Sequence, residues 1–200
     1  MSYSFNIPVS AELLARAQAG RDDALAEIYR LFERPAFNLA RRMTHCPDAA
    51  ADVMQDAFMN VFKRMKQFRG EGSFGMWLRT VVASQALMYL RKQRRIFEIF
   101  TVEESGEHVG QEDGSTVDLE RALGLLEELP RAVMWLYHVE GYTHPEIAEI
   151  CGKSVSFSKS QLSRAHQKLR DLLAIDFSAK TGGQSSARER ATCNSVFKTA

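Results

Sequence analysis

The sequence predicts an all-α protein built as two small helical domains joined by a flexible acidic linker, the second domain a helix-turn-helix. Three observations carry this prediction. Apolar residues recur at spacings of three and four through most of the chain. Capping and terminating residues punctuate those stretches at helical lengths. Residues 101–118 then interrupt the pattern with six acidic residues and no basic one. With 200 residues, 45% of them hydrophobic, the chain can bury one or two modest cores.

The formal net charge of +1 is a cancellation. Residues 1–100 carry 15 Lys and Arg against 10 Asp and Glu, residues 119–177 carry 7 against 8, and residues 178–200 carry 4 against 1. A basic first half is thus offset by the acidic stretch that follows it, and the distribution allows a polyanionic partner that the sum would disfavour. Cys46, Cys151 and Cys193 are scattered without a C-x-x-C pair, which fits a reducing compartment and argues against a disulfide framework or a zinc site. His45 beside Cys46 has no second ligand pair and reads as an ordinary dipeptide, so no metal is expected. No apolar run has the length to cross a bilayer and no basic-then-apolar segment opens the chain, so the expected location is the cytoplasm, away from the membrane.

Taken in order, Ser10 caps a helix carrying Leu13, Leu14 and Ala17 and ending near Gly20. The next helix carries Ala24, Leu25, Ile28, Tyr29, Leu31 and Phe32, and Pro35 is expected to break or kink it before 36–44 continues. Pro47 and Asp48 open a third helix, a proline suiting the first turn and a carboxylate the positive end of the dipole. Its apolar stripe is Val53, Met54, Ala57, Phe58, Val61, Phe62 and Met65, with Asp52, Gln55, Asp56 and Asn60 largely off it. That stripe reads as core.

The run Phe68-Arg-Gly-Glu-Gly-Ser-Phe-Gly-Met-Trp77 is a glycine-interrupted aromatic and basic loop feeding a helix that ends in Arg91-Lys-Gln-Arg-Arg95. At 100° per residue, Leu78, Val81, Val82, Gln85, Ala86 and Tyr89 fall on one side, and Trp77, Thr80, Ser84, Met88, Arg91 and Arg95 on or near the other. The first set packs inward and the second faces ligand or solvent. Basic residues at a helix C-terminus also suit its dipole, so that cluster alone proves little.

After the linker, 119–129 reads as a helix and Pro130 begins another, ended by Gly141. Thr143-His-Pro-Glu146 has the capping-box pattern, and Gly152 ends that short helix. Ser154 caps a further helix with Val155, Ser158, Leu162, Ala165, Leu169 and Leu173 inward, and Ser156, Phe157, Ser160, Arg164, Gln167 and Lys168 on the exposed face. Residues 153–170 hold five basic residues and no acidic one. Glycine turns join helices in many bundles, but a short first helix with a hydroxyl-rich, purely basic second one favours DNA binding. Residues 178–200 read as a disordered tail, which sets the expected domains at 10–100 and 119–177.

Two separate stretches resemble the extracytoplasmic-function (ECF) sigma factors of bacterial RNA polymerase. Asp52-Val-Met-Gln-Asp-Ala-Phe58 with Phe68-Arg-Gly-Glu-Gly-Ser-Phe-Gly-Met-Trp-Leu78 is similar to that family's promoter-melting region. Leu129-Pro-Arg, Gly141-Tyr-Thr-His-Pro-Glu-Ile-Ala-Glu-Ile-Cys-Gly152 and Lys159-Ser-Gln-Leu-Ser-Arg-Ala165 are similar to its C-terminal DNA-binding region. The resemblance spans roughly 20–175 and implies an adaptor without catalysis or cofactor, its partners core RNA polymerase and promoter DNA. It implies that Asp52, Gln55 and Asp56 dock on polymerase. Phe68, Arg69 and Phe74 would then sit in the loop that holds a flipped base, Trp77 would be a further minus-ten contact, and Thr80, Ser84, Arg91 and Lys92 would line the strand's path. Ser156, Phe157, Lys159, Ser160, Arg164 and Lys168 would touch the minus-thirty-five element, Lys159 through a phosphate.

Departures from the family pattern carry their own expectations. Ser84, Met88 and Gln161 differ from its usual residues, so promoter letters do not carry over and one phosphate contact weakens. Ala49-Ala-Ala-Asp52 replaces the acidic run that usually opens the docking helix, leaving two carboxylates missing. Phosphorylation of Thr44, beside that helix, would add close to two negative charges. Some family members are thought to be controlled by a Ser/Thr kinase and others by an anti-sigma factor. The alternative class is a stand-alone helix-turn-helix regulator. An enzyme is disfavoured because no phosphate-cradling glycine motif, nucleophile–base arrangement or metal-ligand cluster occurs, and His138 and His144 read as a surface or packed histidine and a capping neighbour.

Overall fold

The structure, a computed structural model, describes residues 5–70, 72–100 and 119–180. Among them every regular element is helical: α1 (Ala11–Gln18), α2 (Asp22–Thr44), α3 (Pro47–Lys63), a 3-10 turn (Met65–Gln67), α4 (Phe74–Phe100), α5 (Leu119–Gly124), α6 (Glu128–His138), α7 (His144–Cys151) and α8 (Val155–Lys180). The expected linker at 101–118, Glu71 of the loop and the tail beyond Lys180, with Cys193, lie outside the described residues.

Local chemistry accounts for several helix ends. The Ser10 Oγ accepts from the Leu13 amide at 3.1 Å, and Ser154 Oγ from the Phe157 amide at 3.3 Å. At the start of α7 the Thr143 hydroxyl accepts from the Glu146 amide while the Glu146 carboxylate accepts from the Thr143 amide at 2.7 Å, so two orphan donors are satisfied reciprocally. Gly152 closes α7 in the left-handed region at φ 56°.

Both prolines behave differently from expectation. α2 runs unbroken from Asp22 to Thr44 with Pro35 inside it. The neighbours Phe32 and Ala36 are fully buried, and this packing offsets the lost hydrogen bond. In the second half the break falls at 125–127, so Pro130 sits in the first turn of α6, where its missing N–H costs nothing.

α2, α3 and α4 pack together, α6, α7 and α8 form the second cluster, and α4 also meets α6 and α7 while α2 meets α6. The buried arc of α4 is therefore wider than one amphipathic stripe. Leu78, Val82 and Ala86 are buried as expected, but so are Phe74, Ala83, Leu87 and Leu90. In α8 the expected inward residues Ser158, Leu162, Ala165 and Leu169 are buried, whereas Val155 and Leu173, at the ends of the stripe, are exposed. His144 Nδ1 lies 3.0 Å from Ser158 Oγ and its ring stacks on Tyr137 at 4.6 Å, tying α6, α7 and α8 together.

Phe5 lies over the first turn of α4, because a Cβ at Gly75 would stand 1.8 Å from the Phe5 carbonyl oxygen and 3.0 Å from Phe32 Cε1. Gly75→Ala must push this segment away and expose Phe5. The expected loss is about 1–3 kcal/mol, read as a lower urea midpoint. An unchanged midpoint would mean that Phe5 is not held there.

His138 Nε2 and His166 Nε2 lie 2.9 Å apart between α6 and α8. Burial holds both imidazoles below their ordinary pKa; the neighbouring His166 charge adds to this for His138, and Arg170 for His166. The unfolded chain therefore takes up protons near pH ~6.5 before the folded one does. This contribution to stability is complete above that pH and declines as pH falls through the lower folded values. We expect Tm to drop as pH falls below about 6.5, and His138→Gln to flatten that drop.

Candidate nucleic-acid interface

The loop before α4 is organised from inside. Phe68 meets Phe74 edge-on at 5.4 Å and Trp77 at 5.3 Å, Phe74 lies 5.6 Å from Trp77, and Phe32 of α2 closes on Phe74 at 5.7 Å. Gln18 Nε2 donates to the Phe68 carbonyl at 2.9 Å, fastening the loop to α1. Phe68 and Phe74 are only 7% and 4% exposed, which corrects the expectation that they offer free faces to a base: their rings are spent on each other and on the core. Arg69 is exposed and Trp77 half-buried, so these two are what the loop presents.

Along α4, Thr80 and Lys92 are exposed and Ser84 and Arg91 half-buried. They form one polar edge, with exposed Met76 and Met88 beside it. Two members are already engaged. The Thr80 hydroxyl donates to the Met76 carbonyl at 3.1 Å and lies 3.3 Å from the Tyr142 hydroxyl. The Arg91 guanidinium donates to the Cys151 carbonyl, and its Nε is buried without a hydrogen-bond partner.

On α8, Ser156, Ser160, Arg164 and Lys168 are all exposed, and their spacing of four places them in one stripe, with exposed Lys159 on its flank. Ser160 Oγ donates to the Phe157 carbonyl at 2.8 Å. Phe157 is half-buried and packs against the core, so it anchors the helix more than it faces outward. Gln161 is buried at 3%, turned away from the stripe, which removes the basis for reading it as a weakened phosphate contact.

Asp52, Gln55 and Asp56 are exposed on α3, and Met59, one turn further, is also exposed. Next to them a groove of about 380 Å³ runs between Glu33, Arg34, Phe37 and Asn38 of α2 and Met54 of α3. The alanine run differs from the expected surface. Ala49 and Ala50 are buried and Ala51 is exposed, so the missing carboxylates do not all correspond to open positions. Thr44 is 4% exposed; its hydroxyl donates within its own turn, 2.9 Å from the Ala40 carbonyl and 3.1 Å from that of Cys46. That corrects the reading of Thr44 as an accessible hydroxyl.

Sequence reasoning missed the residues that join the two halves. Arg79 Nε donates to the Tyr142 hydroxyl at 3.1 Å, its Nη2 to the Glu140 carbonyl at 2.7 Å, and its guanidinium lies 4.4 Å above the Tyr142 ring. Its Nη1 stands 3.7 Å from the Glu140 carboxylate, each side chain 16% exposed. Arg42 lies 4.9 Å over Trp135. Arg131, 6% exposed, reaches the Gly124, Leu126 and Thr44 carbonyls at 3.3–3.5 Å, and burial lowers its pKa. Arginine and tyrosine on otherwise apolar flanks were the available signal. Their partners across the junction lie about sixty to ninety residues away and have no local signature.

Among the described residues no group of three or more His, Cys, Asp or Glu is placed to hold a metal, and no helix is long and apolar enough to cross a membrane. What remains is a polar edge on one helix and a basic stripe on a helix-turn-helix, a pairing that defines a two-part DNA-binding protein. Sigma-70 region 2 matches residues 28–96 and Sigma-70, region 4 matches residues 116–169, together more than half of the chain. The chain is 27% identical over 169 residues to the ECF RNA polymerase sigma factor SigM of Mycobacterium tuberculosis (strain ATCC 35801 / TMC 107 / Erdman), covering 82% of this chain and 84% of that protein. It is 28% identical over 174 residues to EcfG of Rhodopseudomonas palustris (strain TIE-1), covering 84% and 92%. Its fold is similar to the sigma factor RpoE in its co-crystal structure with the anti-sigma factor NepR from Bartonella quintana, with TM-score 0.51, 24% identity, and coverage of 76% of this chain and 97% of that one. The chain belongs to the RNA polymerase sigma factors of the ECF type, which are transcription initiation factors and not enzymes.

Proposed function

We propose that this sigma factor reads its promoter with two surfaces: the polar edge of α4 at the minus-ten element and the α8 stripe at the minus-thirty-five element. The observation that carries the reading is the exposed alignment of Ser156, Ser160, Arg164 and Lys168 on the second helix of the helix-turn-helix. Such a helix suits the major groove, where side chains discriminate base edges. Arg69, Trp77, Thr80, Ser84, Arg91 and Lys92 take the unpaired strand, cations neutralising phosphates and Trp77 stacking, while Phe68 and Phe74 hold the loop's shape. Asp52, Gln55 and Asp56 dock on core RNA polymerase, with Met59 and the neighbouring groove completing the surface. The chain then acts where the polymerase does, in the cytoplasm.

Run-off transcription with core polymerase tests the reading, since a stand-alone regulator would bind DNA without polymerase and initiate nothing. Arg164→Ala is expected to lower promoter-specific initiation by roughly 10- to 100-fold. Lys159→Ala should weaken all sequences evenly and reduce the salt slope of binding by about 1. Initiation by core enzyme that is indifferent to the added chain would sink the assignment.

Control by a Ser/Thr kinase at Thr44 is the finer part of the reading, with an anti-sigma factor as the other partner class. Thr44 is buried and its backbone carbonyl accepts from Arg131 of the second domain, so a kinase would need this region to open before it reached the hydroxyl. Added charge beside α3 then strengthens docking. Thr44→Glu is expected to bind core polymerase several-fold more tightly than Thr44→Ala, and equal binding by the two variants would remove this control.

A further inference from the structure

The fold brings together two histidines that lie 28 positions apart in the chain. His138 is in the last turn of α6 and His166 is on α8, and their Nε2 atoms stand 2.9 Å apart. Both residues are half-buried, so the pair sits at the surface between the two helices. His166 is two residues from both Arg164 and Lys168, which places it about 200° round the helix from each. The pair therefore lies on the side of α8 away from the basic stripe. His144, the other histidine of this half, is spent elsewhere, with Nδ1 3.0 Å from Ser158 Oγ and its ring stacked on Tyr137.

Two ligands on one ion have this spacing. Imidazole nitrogens bind zinc at about 2.0–2.1 Å, so two in adjacent positions stand about 2.9 Å apart at a right angle and about 3.3 Å apart at the tetrahedral angle. The first value matches the pair, and right angles are the geometry of square-planar and octahedral ions such as Cu2+ and Ni2+. Without an ion, two neutral rings at this distance share one proton, the Nε2–H of one donating to the bare Nε2 of the other. An ion takes both lone pairs instead, and the donating ring carries its proton on Nδ1. Burial helps, because it holds both imidazoles below their ordinary pKa and the neutral ring is the one that ligates. Arg170, the cation acting on His166, is exposed and donates to Gln167 Oε1 at 2.7 Å, so solvent screens its charge.

We propose that His138 and His166 form a two-histidine site for a late first-row divalent ion, Ni2+, Cu2+ or Zn2+, which staples α6 to α8 and stiffens the helix-turn-helix from behind. Water completes the coordination, since no third His, Cys, Asp or Glu among the described residues joins the pair. Hard ions such as Mg2+ prefer oxygen ligands and are rejected. The ion binds the folded chain and so stabilises it by mass action, which makes the melting temperature depend on metal concentration. The site stands independently of the promoter reading, because it leaves Ser156, Ser160, Arg164 and Lys168 uncovered.

Thermal melts of the full chain, first stripped of metal with a chelator, test the site. Ni2+ at about 1 mM should raise Tm by several degrees, while Mg2+ at the same concentration leaves it unchanged. His138→Gln and His166→Gln each keep a hydrogen-bonding side chain and should each abolish the Ni2+ shift, whereas His108→Gln should retain it. A second readout needs no variant to fold differently from the parent: in the unaltered chain, Ni2+ below one equivalent should broaden the ring-proton NMR signals of His138 and His166 before those of His45, His108 and His144. The absence of a Ni2+ shift, a shift shared by Mg2+, one that survives His138→Gln, or broadening led by another histidine would each overturn the site.

Discussion

Helix α4 has to be buried on two flanks at once, and most of the structure follows from that requirement. Its residues Leu78, Val82 and Ala86 belong to the apolar arc, as do Ala83, Leu87 and Leu90, so neither α2 with α3 nor α6 with α7 can cover it alone. The buried residues of both halves accordingly form one hydrophobic cluster. Only a narrow edge is left for polar chemistry. Arg79 stands at one border of that edge and Thr80 and Arg91 lie on it, which is why the surface available to a nucleic acid is also the surface on which the second domain is anchored.

Cations mediate the junction because they can satisfy carbonyls at the helix termini while their stems pack against apolar neighbours. Arg131 and Arg91 make this compromise visible. Arg131 reaches the Leu126 carbonyl of its own half and the Thr44 carbonyl at the end of α2, Arg91 donates to the Cys151 carbonyl at the end of α7, and each keeps a buried Nε without a partner. Desolvating these cations is costly, and burial lowers the Arg131 pKa despite Glu128 nearby, so these contacts favour one defined arrangement without making it deeply stable. The Phe68, Phe74 and Trp77 cluster has the opposite character: rings packed edge to face hold a loop rigidly from beneath, leaving Arg69 to act above it.

Much of this was legible from residue order. Ser10, Thr143 with Glu146, Ser154 and Gly152 act as the caps and stops that their types and spacing announce, because capping is a bond between neighbours. The helix-turn-helix and the α8 stripe were legible for the same reason. Pro35 was misread because its local cost is outweighed by packing around Phe32 and Ala36. Phe68 and Phe74 were assigned to a base by the family resemblance, whereas Gln18 of α1 and Phe32 of α2 draw their loop inward. Thr44, Ala49 and Ala50 were taken for surface because their covering comes from elsewhere in the fold.

By itself, then, the amino-acid order determined the helical class, most helix boundaries, the two-part organisation and the basic face of α8, all of which depend on periodicity and on contacts within four residues. Tertiary structure alone decided which aromatic rings are core, which hydroxyls are reachable, and that Arg79 meets Glu140 and Tyr142. Those outcomes depend on pairs of residues about sixty to ninety positions apart in the chain, brought together by the double burial of α4, and such pairings leave no periodic trace in a single sequence.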